Sequence, residues 1–475
     1  MKDLHHSCQG ESHILSNKVC QDSSYSSTSD TMSIAIVCDG HGGARYFRSD
    51  VGSRFAVDAT KECVQAFVSE IDVNLFKDKQ FTQKKALSSE ASSNIYTKDT
   101  NVDKALRQLF SSIIYCWREK ITQHSQNTPL SEKEKSTIKQ DYLSEFEQGI
   151  GIEKTYGCTL MCYVYTDLFW FAFHIGDGKC IAFDDNGTWF EPIPWDEKCF
   201  LNKTTSLCDS SAIEEFRYCY CGDGNKPLAV FLGSDGIDDS FGATENMVNF
   251  YVQVLKLINK EGLEIAVANI QETLPQLSKI GSKDDMSIAC IYDEEALQKK
   301  EKYLVGWQRR NIENQLFEVN NRILKYKDEI ARLSKCDLRN QKLMIDFQYA
   351  KKDLSKAFEL KHSLANKWNK FSEEIDGESY APYKDEIGWE ESYLVEQEAT
   401  ETNCPSTIMV EDNSLSNNAG TKIEDSSADT AMDECHENSM EDAGVELHVN
   451  ETVETGEKNM TDIKEKDNNN IAEEE

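Results

Sequence analysis

Long apolar runs are missing from this chain. Nowhere in its 475 residues do about 18 apolar residues follow one another, and the opening Met1-Lys2-Asp3-Leu4-His5-His6 lacks the apolar stretch of a signal peptide. We therefore expect no membrane partner and a cytoplasmic location. Positive charge is scarce too: 51 Lys and Arg stand against 84 Asp and Glu, a formal charge of −33. Phosphate backbones attract basic faces, so no nucleic-acid partner is expected. Metal-type cysteine spacing is also absent. Sixteen cysteines occur, scattered singly through apolar stretches, and the closest pairs, Cys158/Cys162 and Cys219/Cys221, lack the second half of a zinc site. They read as reduced core thiols rather than a disulfide framework.

The charge is unevenly spread. Residues 371–475 hold 31 Asp and Glu against 5 Lys, so −26 of the −33 falls there. Three regions follow from such shifts in composition. Residues 1–295 alternate strand-like and helix-like segments and are long enough to bury a large core. Within them, 77–101 and 125–155 are polar and read as surface insertions. Residues 297–375 are rich in Lys, Glu, Leu, Gln and Asn, with no proline and only Gly306. Residues 376–475 combine low hydrophobicity with high negative charge and are expected to be a disordered acidic tail.

Apolar strands are predicted at Ser33–Cys38, Leu160–Tyr165, Leu168–Ile175, Leu228–Leu232 and Met286–Tyr292, with Asn186-Gly187 as a type I′ hairpin turn. Helical periodicity appears at about 44–70, 103–124, 244–259 and 261–274. Strands outnumber helices and come in consecutive pairs, which fits an α+β fold with antiparallel sheets better than a doubly wound one. Farther on, Leu316, Val319, Ile323, Tyr326, Ile330 and Leu333 form a heptad seam. A second seam runs from Leu343 to Phe371 in a shifted phase. The register break near 340 allows a stutter in one coiled coil, with self-association, or a hairpin of two helices.

Asp–Gly pairs placed at strand ends carry the chemistry. Cys38-Asp39-Gly40-His41-Gly42-Gly43, Gly176-Asp177-Gly178 and Gly233-Ser234-Asp235-Gly236-Ile237-Asp238-Asp239 each follow a strand, and Gly281-Ser282-Lys283-Asp284-Asp285-Met286-Ser287 precedes the last one. Carboxylates from four distant segments can converge, and hard oxygen donors without His or Cys suit Mg²⁺ or Mn²⁺. Glycine lets a backbone carbonyl such as that of Gly40 approach. Any one such pair alone reads as an ordinary turn.

With Asn17-Lys18-Val19-Cys20-Gln21-Asp22 and Gly157-Cys158-Thr159 added, the chain resembles the metal-dependent Ser/Thr protein phosphatases of type 2C, in the form often found in bacteria. The likeness runs over residues 9–293. It implies a four-layer α-β-β-α sandwich of two antiparallel sheets flanked by helices, with two metal ions in a cleft at one end. Carried over, Asp39 would bridge both ions, the Gly40 carbonyl would hold one, and Asp235 with Asp284 the other. Two divalent ions about 4 Å apart would activate a bridging water and offset the phosphate charge. His41 matches the family's proposed general acid. Asp22 matches an acidic position, but its neighbour is Gln21 where many members carry a second acid, so it is expected to touch a metal-bound water. Lys18 stands near the place of a phosphate-clamping arginine and would supply only a point charge. Asp177 and Asp239, with Asp235, match a third-metal site of some relatives. Asp285 is assigned no ligand role, Cys158 is expected to be core packing, and His174 a hydrogen-bonded core histidine.

The implied activity is a phosphoprotein phosphatase in signalling, opposed by a Ser/Thr kinase. Two other readings stay open: a phosphatase-like scaffold binding a phosphoprotein or kinase, and a phosphatase of small metabolites. The tail would solvate, bind a basic partner, or compete with substrate in cis.

Overall fold

The computed structural model describes residues 1–85, 100–199, 203–336, 339–379 and 381–383. Most of the expected acidic tail and the middle of the 77–101 segment lie outside the described residues. In chain order the strands are β1 (Lys2–Cys8), β2 (Ser23–Thr28), β3 (Ser33–Cys38), β4 (Thr82–Lys84), β5 (Leu160–Tyr165), β6 (Trp170–Ile175), β7 (Lys179–Phe183), β8 (Trp189–Phe190), β9 (Arg217–Cys221), β10 (Ala229–Gly233) and β11 (Met286–Tyr292). They form two sheets, β1-β11-β10-β7-β8 and β2-β3-β5-β6-β9-β4, with every pairing antiparallel.

Why the central strands read as unbroken apolar runs becomes plain from their two faces. In β3, Ala35 and Val37 point into the space between the sheets, where they meet Met161, Val230, Leu232 and Ile291. Ile34, Ile36 and Cys38 point the other way, into the layer holding the helices Ser49–Glu70 and Asn101–Asn127. The second sheet does the same against Thr244–Glu261 and Leu263–Ile280. The central strands of both sheets are therefore buried on both faces, each large side chain contributing roughly 1.5–3 kcal/mol, whereas β1, β2, β4 and β8 at the sheet edges are only partly buried. The four-layer α-β-β-α sandwich expected from the sequence is present.

One local expectation needs correction, and the two polar segments gain detail. The Asn186-Gly187 turn is not type I′, since only Gly187 has a positive φ, of 70°. The Asp184 carboxylate accepts from the amides of Asn186 and Thr188 and braces the loop, with Gly187 its one positive-φ residue. The segment 125–155 is mostly exposed, as a surface insertion would be, and has structure of its own. It forms the short helices Glu132–Thr137, Gln140–Glu147 and Ile152–Thr155, and Leu130, Leu143 and Phe146 are buried in the core. Within 77–101, Thr82–Lys84 is an edge strand paired to β9.

Beyond β11 the helices Glu294–Leu333 and Gln341–Asp376 fold back on one another. Leu316, Val319, Ile323 and Ile330 are buried with Leu354, Ala357 and Leu364 in one cluster. Each seam is thus covered by the other helix of the same chain, and the register break is a hairpin turn capped by the Asn340 side chain. At its base Leu297, Leu304 and Trp307 join the body's core, and Lys256 pairs with Glu374 at 2.7 Å. Among the described residues, no helix is long and apolar enough to cross a membrane.

Candidate metal and phosphate site

Each acidic segment is delivered by the end of a strand. Asp39 follows β3, Asp177 lies in the turn between β6 and β7, and Asp235 opens the short helix after β10. These three strands come from both sheets, so the carboxylates meet at one end of the sandwich. Oxygens of Asp39, Asp177 and Asp235 all lie within 4.8 Å of one another. The backbone around them is closely fitted. Thr159 Oγ1 accepts from the Asp39 amide at 3.0 Å, and the Thr159 amide donates to the Asp39 carbonyl at 2.8 Å. A Cβ on Gly40 would sit 2.4 Å from the Gln21 carbonyl oxygen, so that position demands glycine.

Asp22 is buried beside this group, and its Oδ2 has no hydrogen-bond partner. Asp177 Oδ1 is likewise buried and unpartnered. Burial first, and then the neighbouring carboxylates, push Asp22, Asp39 and Asp235 well above the usual carboxylate range. Such a set, all oxygen, mutually repelling and with orphaned acceptors, fits a hard divalent cation, which would supply the missing positive charge.

The remaining expected residues take different places. Asp284 is exposed, outside the three-carboxylate group, and its Oδ1 accepts from the Asp285 amide at 2.9 Å. Its charge nevertheless reaches Asp22, Asp39 and Asp235. Asp239 is exposed, on the same short helix as Asp235. Lys18 is exposed, with Nζ 3.5 Å from the Gly42 carbonyl, so it stands over the glycine loop. His41 packs edge-on against Tyr46, and its Nε2 is 2.7 Å from Ser206 Oγ. Burial holds its pKa down to about 4, with Asp209 raising and Lys154 lowering it.

Residues given no site role by the sequence also have clear places. Asp285 accepts from the amides of Gly10 and Gln21, both at 2.6 Å, and meets His13 Nδ1 at 2.9 Å. It ties the Asp22 loop to the last strand. Cys158 is fully buried, and His174 accepts from buried Arg217 through Nδ1 at 3.0 Å. Sequence reasoning missed Thr205, Ser206 and Arg217, which hold the site's loops. Nothing in their local sequence marks them, because their partners lie far away along the chain.

A family model described as protein phosphatase 2C matches residues 9–275. Among solved structures, a variant of a bacterial serine phosphatase is 16% identical, covering 62% of this chain and 99% of that one, with a TM-score of 0.36. The serine/threonine phosphatase Stp1 from Staphylococcus aureus is 14% identical, covering 62% and 95%, with a TM-score of 0.36. A Caenorhabditis elegans sex determining protein is 14% identical, covering 63% and 67%, with a TM-score of 0.37. No curated protein sequence matches the chain.

Proposed function

The chain belongs to the protein phosphatase 2C family, and from that premise we propose that it hydrolyses phosphoserine and phosphothreonine in proteins with the help of bound Mg²⁺ or Mn²⁺. The observation that carries this reading is the convergence of Asp39, Asp177 and Asp235 in a setting that leaves buried carboxylate oxygens without donors. Asp39, the Gly40 carbonyl, Asp235 and Asp284 would hold two ions, with Asp22 beside them and Asp177 and Asp239 available to a third. When bound, such ions supply charge that offsets that of the phosphate oxygens and make water nucleophilic at neutral pH.

The chain's own residues do the rest. Lys18, over the glycine loop, offers a point charge to the phosphate. His41 hands a proton to the leaving serine or threonine oxygen, a step that contributes about 10²–10⁴-fold with a poor leaving group. Before substrate arrives, the ring is neutral, since burial holds it down. A phosphate dianion beside it favours the protonated form.

The test is hydrolysis of p-nitrophenyl phosphate and a phosphothreonine peptide by the full chain, with and without Mn²⁺ or Mg²⁺, beside Asp39→Asn and Asp235→Asn. Metal-dependent turnover that both substitutions abolish is expected. A folded wild-type protein that binds Mn²⁺ and turns over neither substrate would sink the reading and favour a phosphoprotein-binding scaffold.

A further inference from the structure

We propose that Thr205 and Ser206, adjacent on one loop, are positioning residues that yoke the two halves of this site: Thr205 fixes the turn carrying Asp177 for a divalent cation, and Ser206 fixes the ring of His41. The role assigned to Ser206 in turnover rests on the phosphatase reading; the geometry does not.

Both residues are buried. Thr205 Oγ1 accepts from the Gly176 amide at 3.1 Å and donates to Asp196 Oδ2 at 3.2 Å. The other end of Gly176 is held as well, since Arg217 Nη2 donates to its carbonyl at 2.6 Å. Gly176 has a φ of 135°, and a Cβ there would lie 2.5 Å from the Thr159 side chain. No other residue fits, and the direction of the peptide into Asp177 is set from both sides.

One residue later, Ser206 faces the other half. Its hydroxyl reaches the Cys158 carbonyl at 3.0 Å, and the next amide, that of Leu207, donates to the same carbonyl at 3.0 Å. Cys158 is bridged to Gly40, beside Asp39. A hydroxyl has one hydrogen. The Cys208 amide donates to Ser206 Oγ at 3.3 Å. The proposed arrangement gives the hydroxyl hydrogen to the Cys158 carbonyl, so that Ser206 Oγ accepts from His41 Nε2 and the neutral ring leaves Nδ1 bare. The Ser206 amide is in turn held by Asp209 Oδ2 at 3.0 Å. Consecutive hydroxyls therefore reach the β6–β7 turn on one side and the loop after β3 on the other. A shift of this loop would move a metal-site carboxylate and the histidine together.

Three measurements on the full chain test this. Calorimetric titration with Mn²⁺ should show affinity lowered about 10–100-fold in Thr205→Val, with Thr205→Ser close to wild type. Spectra of [¹⁵N]histidine-labelled protein at neutral pH should show His41 protonated on Nε2, a pattern that Ser206→Ala loses. In steady-state kinetics Ser206→Ala should lower kcat on a phosphothreonine peptide at least about tenfold with little change in KM. It should leave p-nitrophenyl phosphate, whose leaving group needs no proton, nearly untouched. Wild-type Mn²⁺ affinity in Thr205→Val, a His41 ring protonated on Nδ1, or equal losses on both substrates would overturn the proposal. If the wild-type protein turns over neither substrate, the phosphatase reading fails by itself, and the titration and the spectra still decide whether the yoke exists.

Discussion

Asp103, in the first turn of the helix Asn101–Asn127, and Asp22, at the strand-end cluster, are both buried, yet their carboxyls are pushed in opposite directions. Burial alone would raise both. At Asp103 it is outweighed: the Thr100 amide and hydroxyl donate to Oδ2 at 2.7 and 2.8 Å, Tyr218 donates to Oδ1 at 2.9 Å, and Lys84 lies 3.5 Å away. That carboxyl is held below its ordinary range. Asp22 instead has Asp285, Asp235 and Asp284 for company, which outweigh the opposing hydrogen bond of Ser234, and is driven up. A carboxylate that serves the fold brings its donors from the same chain, whereas this cluster leaves the neutralising charge to come from outside.

The sharpest way to break that contrast is to remove one charge from each group. Asp235→Asn should lower Mn²⁺ affinity by more than about 100-fold, since it removes a direct oxygen ligand rather than an outer partner. Without metal, the same variant should melt at a higher temperature than wild type, because repulsion among buried carboxylates is relieved. Titration calorimetry and scanning calorimetry of the metal-free protein read the two effects. A lower melting temperature would show that the cluster is satisfied within the chain, and the contrast would collapse.

Asp103→Asn is the converse and smaller experiment. It should cost about 1–3 kcal/mol, the range for buried hydrogen bonds to a charged group, and leave Mn²⁺ affinity unchanged. Denaturant melts beside Mn²⁺ titration check it. Loss of metal affinity in this variant would mean that the two regions are not independent.

How far the sequence speaks for each region follows from where its partners lie. Asp39 and Asp235 are legible because a glycine-flanked aspartate directly after an apolar run is a local signal. Asp177 could be named only as an optional ligand, since its turn is short and common, yet it sits in the three-carboxylate group with Asp39 and Asp235. Asp284 carries the more specific motif and lies at the exposed rim. Ser206 is beyond local reading altogether, as it meets His41 across 165 residues. Asp103 had a visible partner in Thr100, three residues before it, but Tyr218 and Lys84 come from strands β9 and β4. The heptad seams were legible as periodicity. Their coverer was not, because one apolar stripe fits a second copy as well as its own hairpin.

A change of pH should separate the two kinds of carboxylate with the smallest effect. A carboxyl raised in the folded protein binds protons before its unfolded counterpart, whose ordinary value is 3.8. Metal-free stability from Asp22, Asp39 and Asp235 should therefore rise as pH falls from their elevated values towards 3.8. Asp103 has the opposite sign: its contribution is full above 3.8 and is lost only as pH falls through its lowered folded value. Buried His41 and His174, both lowered from 6.5, oppose the cluster below that pH, because the unfolded rings take up protons first. The clean quantity is thus the difference in melting temperature between wild type and Asp235→Asn, scanned between about pH 4 and 8. That difference should narrow as pH falls, since protons then do for the wild type what the amide does for the variant. Saturating Mn²⁺ should reverse its sign at the alkaline end, where only the wild type holds the ion well. A difference that stays constant with pH in the absence of metal would mean that the carboxylates of this cluster are ionised throughout, and that their burial is compensated by donors within the chain.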